Sequence, residues 1–294
     1  MSTQLTVRHR TVYRYANPVT LGEHRLMCRP RDSHDLRLIE TGLTISPPAQ
    51  VRWIHDVFGN SIVIASFATP TTELALESSF TAEHFPIEAQ DFVLEPYAEL
   101  YPFSYAADEV PDLGRTDERH YPDPEHQVDA WARRFVTGQG GAPPRTMDVL
   151  LAITRAIPNE FGYRRREEMG TQTPTETFEL GSGSCRDFAL FMMEAVRSLG
   201  FAARFVSGYL YDEALVGASG GLVGGGATHA WVQVYLPGAG WVEFDPTNAL
   251  AGGRNLIRVA VARDASQAVP LSGSYTGNPE DFTGMEVEVE VTAG

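Results

Sequence analysis

The chain has 294 residues, 43% hydrophobic and 21% charged, with a formal net charge of −15. That length accommodates two packed units, and the acidity excludes nucleic acid and anionic membrane surfaces as partners, because both recruit basic patches. Cys28 and Cys185 are the two cysteines, neither a disulfide framework nor a metal-binding pair. Residues 1–10 hold no apolar leader core and no run approaches the roughly 18 apolar residues that span a bilayer, so a reduced, cytoplasmic location is expected.

From Leu5 to about Phe92, short alternating or β-branched runs are punctuated by turn residues: Leu5 to Tyr15, Glu23 to Cys28, Leu36 to Ile45, Val51 to His55, Ser61 to Phe67 and Glu73 to Phe85. Pro47-Pro48 and Asp56 to Asn60 supply turns between them. This pattern predicts an antiparallel β-domain over residues 1–92. Residues 93–123, rich in Pro, Tyr and acids and without periodicity, read as a connecting segment. Helices are expected over Pro124 to Val136, with Asp123 as N-cap, and over Thr146 to Ile157, bounded by Pro143-Pro144 and Pro158. Asn159 to Leu180 reads as a loop.

Gly181-Ser182-Gly183-Ser184-Cys185-Arg186-Asp187 then places a cysteine where a glycine-rich turn opens an apolar helix running from Phe188 to Leu199. A thiol there sits beside unpaired N–H groups and the positive end of the helix dipole, which stabilise a thiolate. Cysteine also serves as an inert core residue, but the glycine-rich approach and the downstream His229 and Asp245 favour a nucleophile. Strands are predicted over Ala203 to Tyr211, Thr228 to Leu236 and Trp241 to Asp245. Helices followed by an antiparallel sheet make residues 124–294 an α+β unit with a central helix and a C-terminal β tail.

A nucleophilic Cys185 needs a base and a group that orients the base, roles that suit His229 and Asp245. Their meeting depends on register. Direct opposition of the two requires paired positions to sum to 474, which predicts a wide or bulged connection after Gln233; a tight turn at Pro237 to Gly240 would sum to 477 and put them on opposite faces. The Cys185 N–H is a natural oxyanion donor, and Tyr163 and Trp231 are candidates for a second. Asp187 reads as a first-turn helix stabiliser, Arg186 as an ion partner or substrate contact, and Cys28 as a packing residue. Glu23-His24 and Glu118 to His120 lie in separate segments, so neither metal nor cofactor is expected. The glycine-rich Gly217 to Gly226 lacks a phosphate-loop ending and reads as a hairpin tip or as a flap over the site.

The segments 181–189, 200–209, 228–235 (Thr-His-Ala-Trp-Val-Gln-Val-Tyr) and 240–248 (Gly-Trp-Val-Glu-Phe-Asp-Pro-Thr-Asn) together resemble the bacterial transglutaminase-like family. Thr11 to Tyr15, Leu26 to Arg31 and Asp56 to Asn60 resemble the β-domain that precedes its catalytic core, and Asn255 to Asp264 and Met285 to Val291 resemble its closing segments. The resemblance implies a papain-like α+β core in which Cys185, His229 and Asp245 form a triad that attacks an amide carbonyl of a peptide or protein and forms an acyl thioester. Water as acceptor makes a peptidase or amidase, the favoured outcome; an amine acceptor makes a protein-glutamine transglutaminase. A peptide-binding scaffold without turnover is the rival from another class.

Overall fold

A computed structural model describes residues 2–88, 91–137, 141–166, 168–211 and 227–294. Six strands lead the chain: β1 Thr3–Leu21, β2 His24–Arg29, β3 Leu36–Ser46, β4 Ala49–His55, β5 Ser61–Phe67 and β6 Thr71–His84. After short α1 (Glu109–Leu113) come α2 (Gln127–Arg133), α3 (Thr146–Glu160), α4 (Pro174–Leu180) and α5 (Cys185–Ser198). The longer strands that follow are β7 Ala203–Leu210, β8 Thr228–Leu236, β9 Gly240–Asp245, β10 Leu256–Ala262 and β11 Phe282–Ala293. The fold is α+β. None of the described helices is long and apolar enough to cross a membrane.

The leading strands form a sandwich. One sheet runs β3-β6-β1-β11 and the other β2-β5-β4 with Leu271–Ser272 beside β2, all antiparallel. Inward-facing Val19, Leu26, Cys28, Val63, Leu74 and Leu76 fill the space between them. The end of the chain departs from expectation: residues 282–293, read as a tail of the catalytic core, pair with β1 from Leu5 opposite Ala293 to Tyr13 opposite Met285. The alternation Glu286-Val287-Glu288-Val289-Glu290-Val291 explains this. Period two suits a half-buried strand, with Val289 in the core and Glu286 facing Arg14 at 3.1 Å.

The second sheet system orders β9-β8-β7-β10, and α5 lies across one of its faces, packed on Ala230, Val232, Val234 and Phe244. The first sandwich covers part of the other face, where Leu5, Val7, Phe80 and Val289 meet Tyr209, Ile257 and Val259. Buried His9, pushed down to about 4 by burial, bonds the Tyr209 hydroxyl at 2.9 Å. Asn60 acts as a substitute strand partner at the β10 bulge: its amide donates to the Val261 carbonyl at 2.7 Å and its oxygen accepts the Val261 N–H at 2.9 Å.

Three local expectations change. Asp123 does cap α2, but from outside: its carboxylate accepts from the N–H groups of Gln127, Val128 and Asp129 while His126 holds the N-cap position. α3 continues past Pro158 to Glu160, because a proline so close to a helix end forfeits only one bond. Within the expected loop, α4 forms on a capping box in which Thr173 accepts the Glu176 N–H and Glu176 accepts the Thr173 N–H, with Pro174 at the first helical position.

The connecting segment is anchored to α5 by a buried ion network. Glu194 is fully buried and accepts from Arg197 at 2.8 Å, Arg119 at 3.1 Å and the N–H groups of His120 and Tyr121. Arg197 gives three further donors to the carbonyls of Thr116, Ala203 and Arg263. Glu194→Ala strands these donors and is expected to cost about 3–5 kcal/mol, read as a fall in the denaturant midpoint, with Glu194→Gln losing less.

Candidate active site

Cys185 is the first residue of α5, and the turn before it is built around Asp187. The Asp187 carboxylate is fully buried: one oxygen accepts the Ser184 N–H and hydroxyl, each at 2.8 Å, and the other accepts Arg166 at 2.8 Å and the Gln172 N–H at 2.7 Å. It therefore locks the helix start to the 164–172 loop, a structural duty that leaves it no free lone pair for chemistry. Gly183 permits the close packing, since a Cβ there would stand 2.8 Å from the Asp187 Cβ.

His229, second residue of β8, and Asp245, last residue of β9, meet at 2.9 Å between Nε2 and Oδ2. Both are buried. The expected wide connection is corrected: Leu236 pairs with Gly240 across a three-residue turn, Pro237 to Ala239, and every pair from Val232–Phe244 onward sums to 476. Extending that ladder sets Trp231 opposite Asp245, so His229 is its diagonal neighbour on the same face. Contact needs only an even sum: 476 joins the two as diagonal neighbours where 474 would have set them directly opposite, whereas a 477 turn would have put them on opposite faces.

The electrostatics follow from these neighbours. Burial alone would lift the Asp245 carboxyl, but His229, the Asn248 side chain at 2.8 Å and the Thr247 N–H at 2.9 Å hold it below the usual carboxylate range. Burial pulls the His229 imidazole down; the Asp245 charge and the Cys185 sulfur outweigh it and push it up to about 10. The imidazole Nδ1 is buried and, among the described residues, has no hydrogen bond of ordinary geometry. Cys185 is the neighbour that acts on this ring besides Asp245. The structure thus brings the three predicted residues into one electrostatic unit.

Trp231 stacks on His229 with ring centroids 5.9 Å apart and a 27° interplanar angle. Beneath it runs Gly208, where a Cβ would collide with the Ile257 carbonyl oxygen and stand 2.7 Å from the indole. Gly208→Ala is expected to cost about 1–3 kcal/mol, measured by thermal unfolding, and to lower activity through the displaced Trp231–His229 stack.

Tyr163 lies in a two-residue strand paired in parallel with Ser182–Gly183. Burial and the Cys185 charge push its phenol up to about 12, placing the hydroxyl within electrostatic reach of the sulfur. The indole N–H of Trp231 is instead buried and, among the described residues, without a hydrogen-bond partner. Arg186 donates to the Glu168 carbonyl at 3.3 Å. Cys28 belongs to the first sandwich, away from this unit, and burial pushes its thiol up. His24 caps its own turn through the Gly22 carbonyl, and Glu118 pairs with Arg115. Among the described residues, no group of three or more His, Cys, Asp or Glu is placed to hold a metal ion. Gly217 to Gly226, read as a tip or flap, lie outside the described residues.

Asn248 is the site residue that sequence reasoning passed over. Its signal was local: three residues beyond Asp245 across a Pro-Thr turn, a side-chain amide falls back on the carboxylate.

Comparison with known proteins agrees with this architecture. Residues 5–83 match the bacterial transglutaminase-like N-terminal region, and residues 130–246, which contain Cys185, His229 and Asp245, match the transglutaminase-like superfamily. An uncharacterized protein of Mycobacterium tuberculosis is 28% identical over 97% of this chain and 91% of its own length. A protein-glutamine gamma-glutamyltransferase of Pseudomonas aeruginosa is 36% identical over 107 residues, 35% of this chain and 16% of that protein. The crystal structure described as "a Putative Cysteine Protease from Cytophaga hutchinsonii" shares the fold, with a TM-score of 0.70 at 20% identity, covering 100% of this chain and 91% of that one. Residues 130–246 thus form a transglutaminase-like core, and residues 5–83 the bacterial transglutaminase-like N-terminal region that precedes it.

Proposed function

We propose that the protein is a thiol-dependent enzyme that attacks an amide of a peptide or protein and hydrolyses the resulting thioester. The observation that carries this reading is a single imidazole, His229, held between a buried carboxylate and a thiol at a helix start. The Cys185 thiolate forms an S–C bond to the carbonyl carbon, and the developing oxyanion is met by the Cys185 N–H and the Tyr163 hydroxyl. The His229 imidazolium gives its proton to the leaving amine as the C–N bond breaks. Neutral His229 then takes a proton from water, whose oxygen attacks the thioester carbon; the C–S bond breaks, the acid departs, and the Cys185 thiolate and His229 imidazolium are restored. Asp245, fixed by Asn248 and Thr247, holds the ring in the orientation both steps require.

The similarity to the gamma-glutamyltransferase supports a second reading, in which an amine replaces water in the last step. Incubation with a glutamine-containing peptide, followed by acid quench and mass spectrometry, tests both. An acyl adduct on Cys185 is expected, with free acid as product; a product that retains an added primary amine favours transfer. Brief iodoacetamide treatment near neutral pH is expected to modify Cys185 far ahead of Cys28, whose thiol burial disfavours the reactive form. Peptide binding without any adduct, or equal labelling of the two cysteines in folded protein, overturns the catalytic reading.

A further inference from the structure

Near Cys185 in the fold stand three arginines that, among the described residues, pair with no carboxylate, in a chain whose net charge is −15. Gly162 and Tyr163 pair with Ser182 and Gly183, and the Arg164 N–H donates to the Gly183 carbonyl at 2.8 Å. Backbone bonds thus fix residues 162–164 alongside the stretch that leads into Cys185. Arg164 and Arg165 are exposed on this rim. Arg186 follows Cys185 directly and reaches to the Glu168 carbonyl, closing the rim from the helix side.

Arg166 is committed internally, to Asp187 at 2.8 Å and to Glu168 at 3.6 Å. Among the described residues, Arg164, Arg165 and Arg186 make no ion pair with a carboxylate. The Tyr163 hydroxyl that feels the Cys185 and Asp245 charges also feels Arg165 and Arg186, so both guanidinium groups lie within electrostatic reach of the residue paired alongside the Cys185 approach. An overall acidic chain repels acidic polypeptides; guanidinium groups flanking the stretch that leads into the nucleophile offset that repulsion there and steer such segments toward it.

We infer that the acyl donor is an acidic polypeptide segment, with Asp or Glu side chains flanking the attacked amide and pairing with Arg164, Arg165 and Arg186. This specificity rests on the thiol acyl-transfer reading above. Guanidinium groups suit the task because their planar donors match carboxylates two at a time.

Three peptides identical except for Glu, Gln or Lys on both sides of the reactive glutamine test it, with the rate of Cys185 acylation read by mass spectrometry. The expected order is Glu, then Gln, then Lys, with steps of about fivefold that shrink at high ionic strength. Replacing both exposed arginines, Arg164→Glu with Arg165→Glu, is expected to invert the order while leaving the unfolding midpoint in place; Arg186→Gln is expected to flatten it. Equal acylation by all three peptides, or an order that survives the charge reversal, overturns the inference and leaves the thiol chemistry standing. Failure of every peptide to acylate Cys185 overturns both.

Discussion

Cys185→Ala is expected to abolish turnover while leaving the fold intact, because no other described group near His229 can form the covalent bond. The cost in kcat should reach the order of 10⁴-fold or more, and adding His229→Ala should cost little further, since nucleophile and base act as one unit. Cys185 is buried, but alanine keeps its helix-start position and removes only the sulfur, so the loss on unfolding by denaturant should stay small beside the loss of activity. Residual activity within tenfold of the parent would show that the sulfur does not react. Near-additive losses in the double variant would show that Cys185 and His229 serve separate steps.

The parts of this site that the sequence made legible are those in which residue type and local structure point the same way. A cysteine after Gly-Ser-Gly-Ser at the head of an apolar run can stand only where it was found, at the first residue of α5. His229 and Asp245 sit on short runs rich in β-branched and aromatic residues, buried on both faces, and the strand bounds of β5 and β8 match the expected runs residue for residue. The capping box of α4 was equally present, as Thr173-Pro174-Thr175-Glu176, but lay inside a stretch without apolar periodicity and so carried no helix signal of its own length.

What stayed hidden was long-range. The hairpin register turns on one residue of turn length, and a shift by one moves a whole strand's side chains to the other face. Local chemistry could therefore favour contact between His229 and Asp245 without revealing the three-residue turn that produces it. Pairing of β11 with β1 closes a loop of almost the entire chain, and nothing near Met285 identifies a partner near Tyr13. The Glu194–Arg197 network is likewise assembled from α5, the connecting segment and the end of β10. Each charge looks like a solvated surface residue when read alone.

The dependence of His229 on Asp245 gives the second large effect. In the folded protein the imidazole is pushed up to about 10, above its unfolded value of about 6.5. Its contribution to stability is therefore complete below about pH 6.5 and is lost as pH rises through 10. Asp245 behaves oppositely: its carboxyl is held below the usual range, so its contribution is present above about pH 4 and disappears as pH falls through the folded value. The pair should thus stabilise the fold most between about pH 4 and pH 6.5. Asp245→Asn removes the charge that outweighs burial, leaving His229 with only the Cys185 sulfur to hold its proton. The imidazolium that must protonate the leaving amine then deprotonates at lower pH, and the ring loses the acceptor that fixes its orientation. A fall in kcat on the order of 10⁴-fold is expected, together with an acid-ward shift of the alkaline limb of the rate profile and a weaker decline in unfolding free energy between pH 6.5 and 10. Asn248→Ala, which removes one donor to the same carboxylate but leaves its charge, should lower kcat far less and keep the alkaline limb near its parent position. A parental alkaline limb in Asp245→Asn would mean that the carboxylate does not set the imidazole's proton affinity, whatever its distance from the ring.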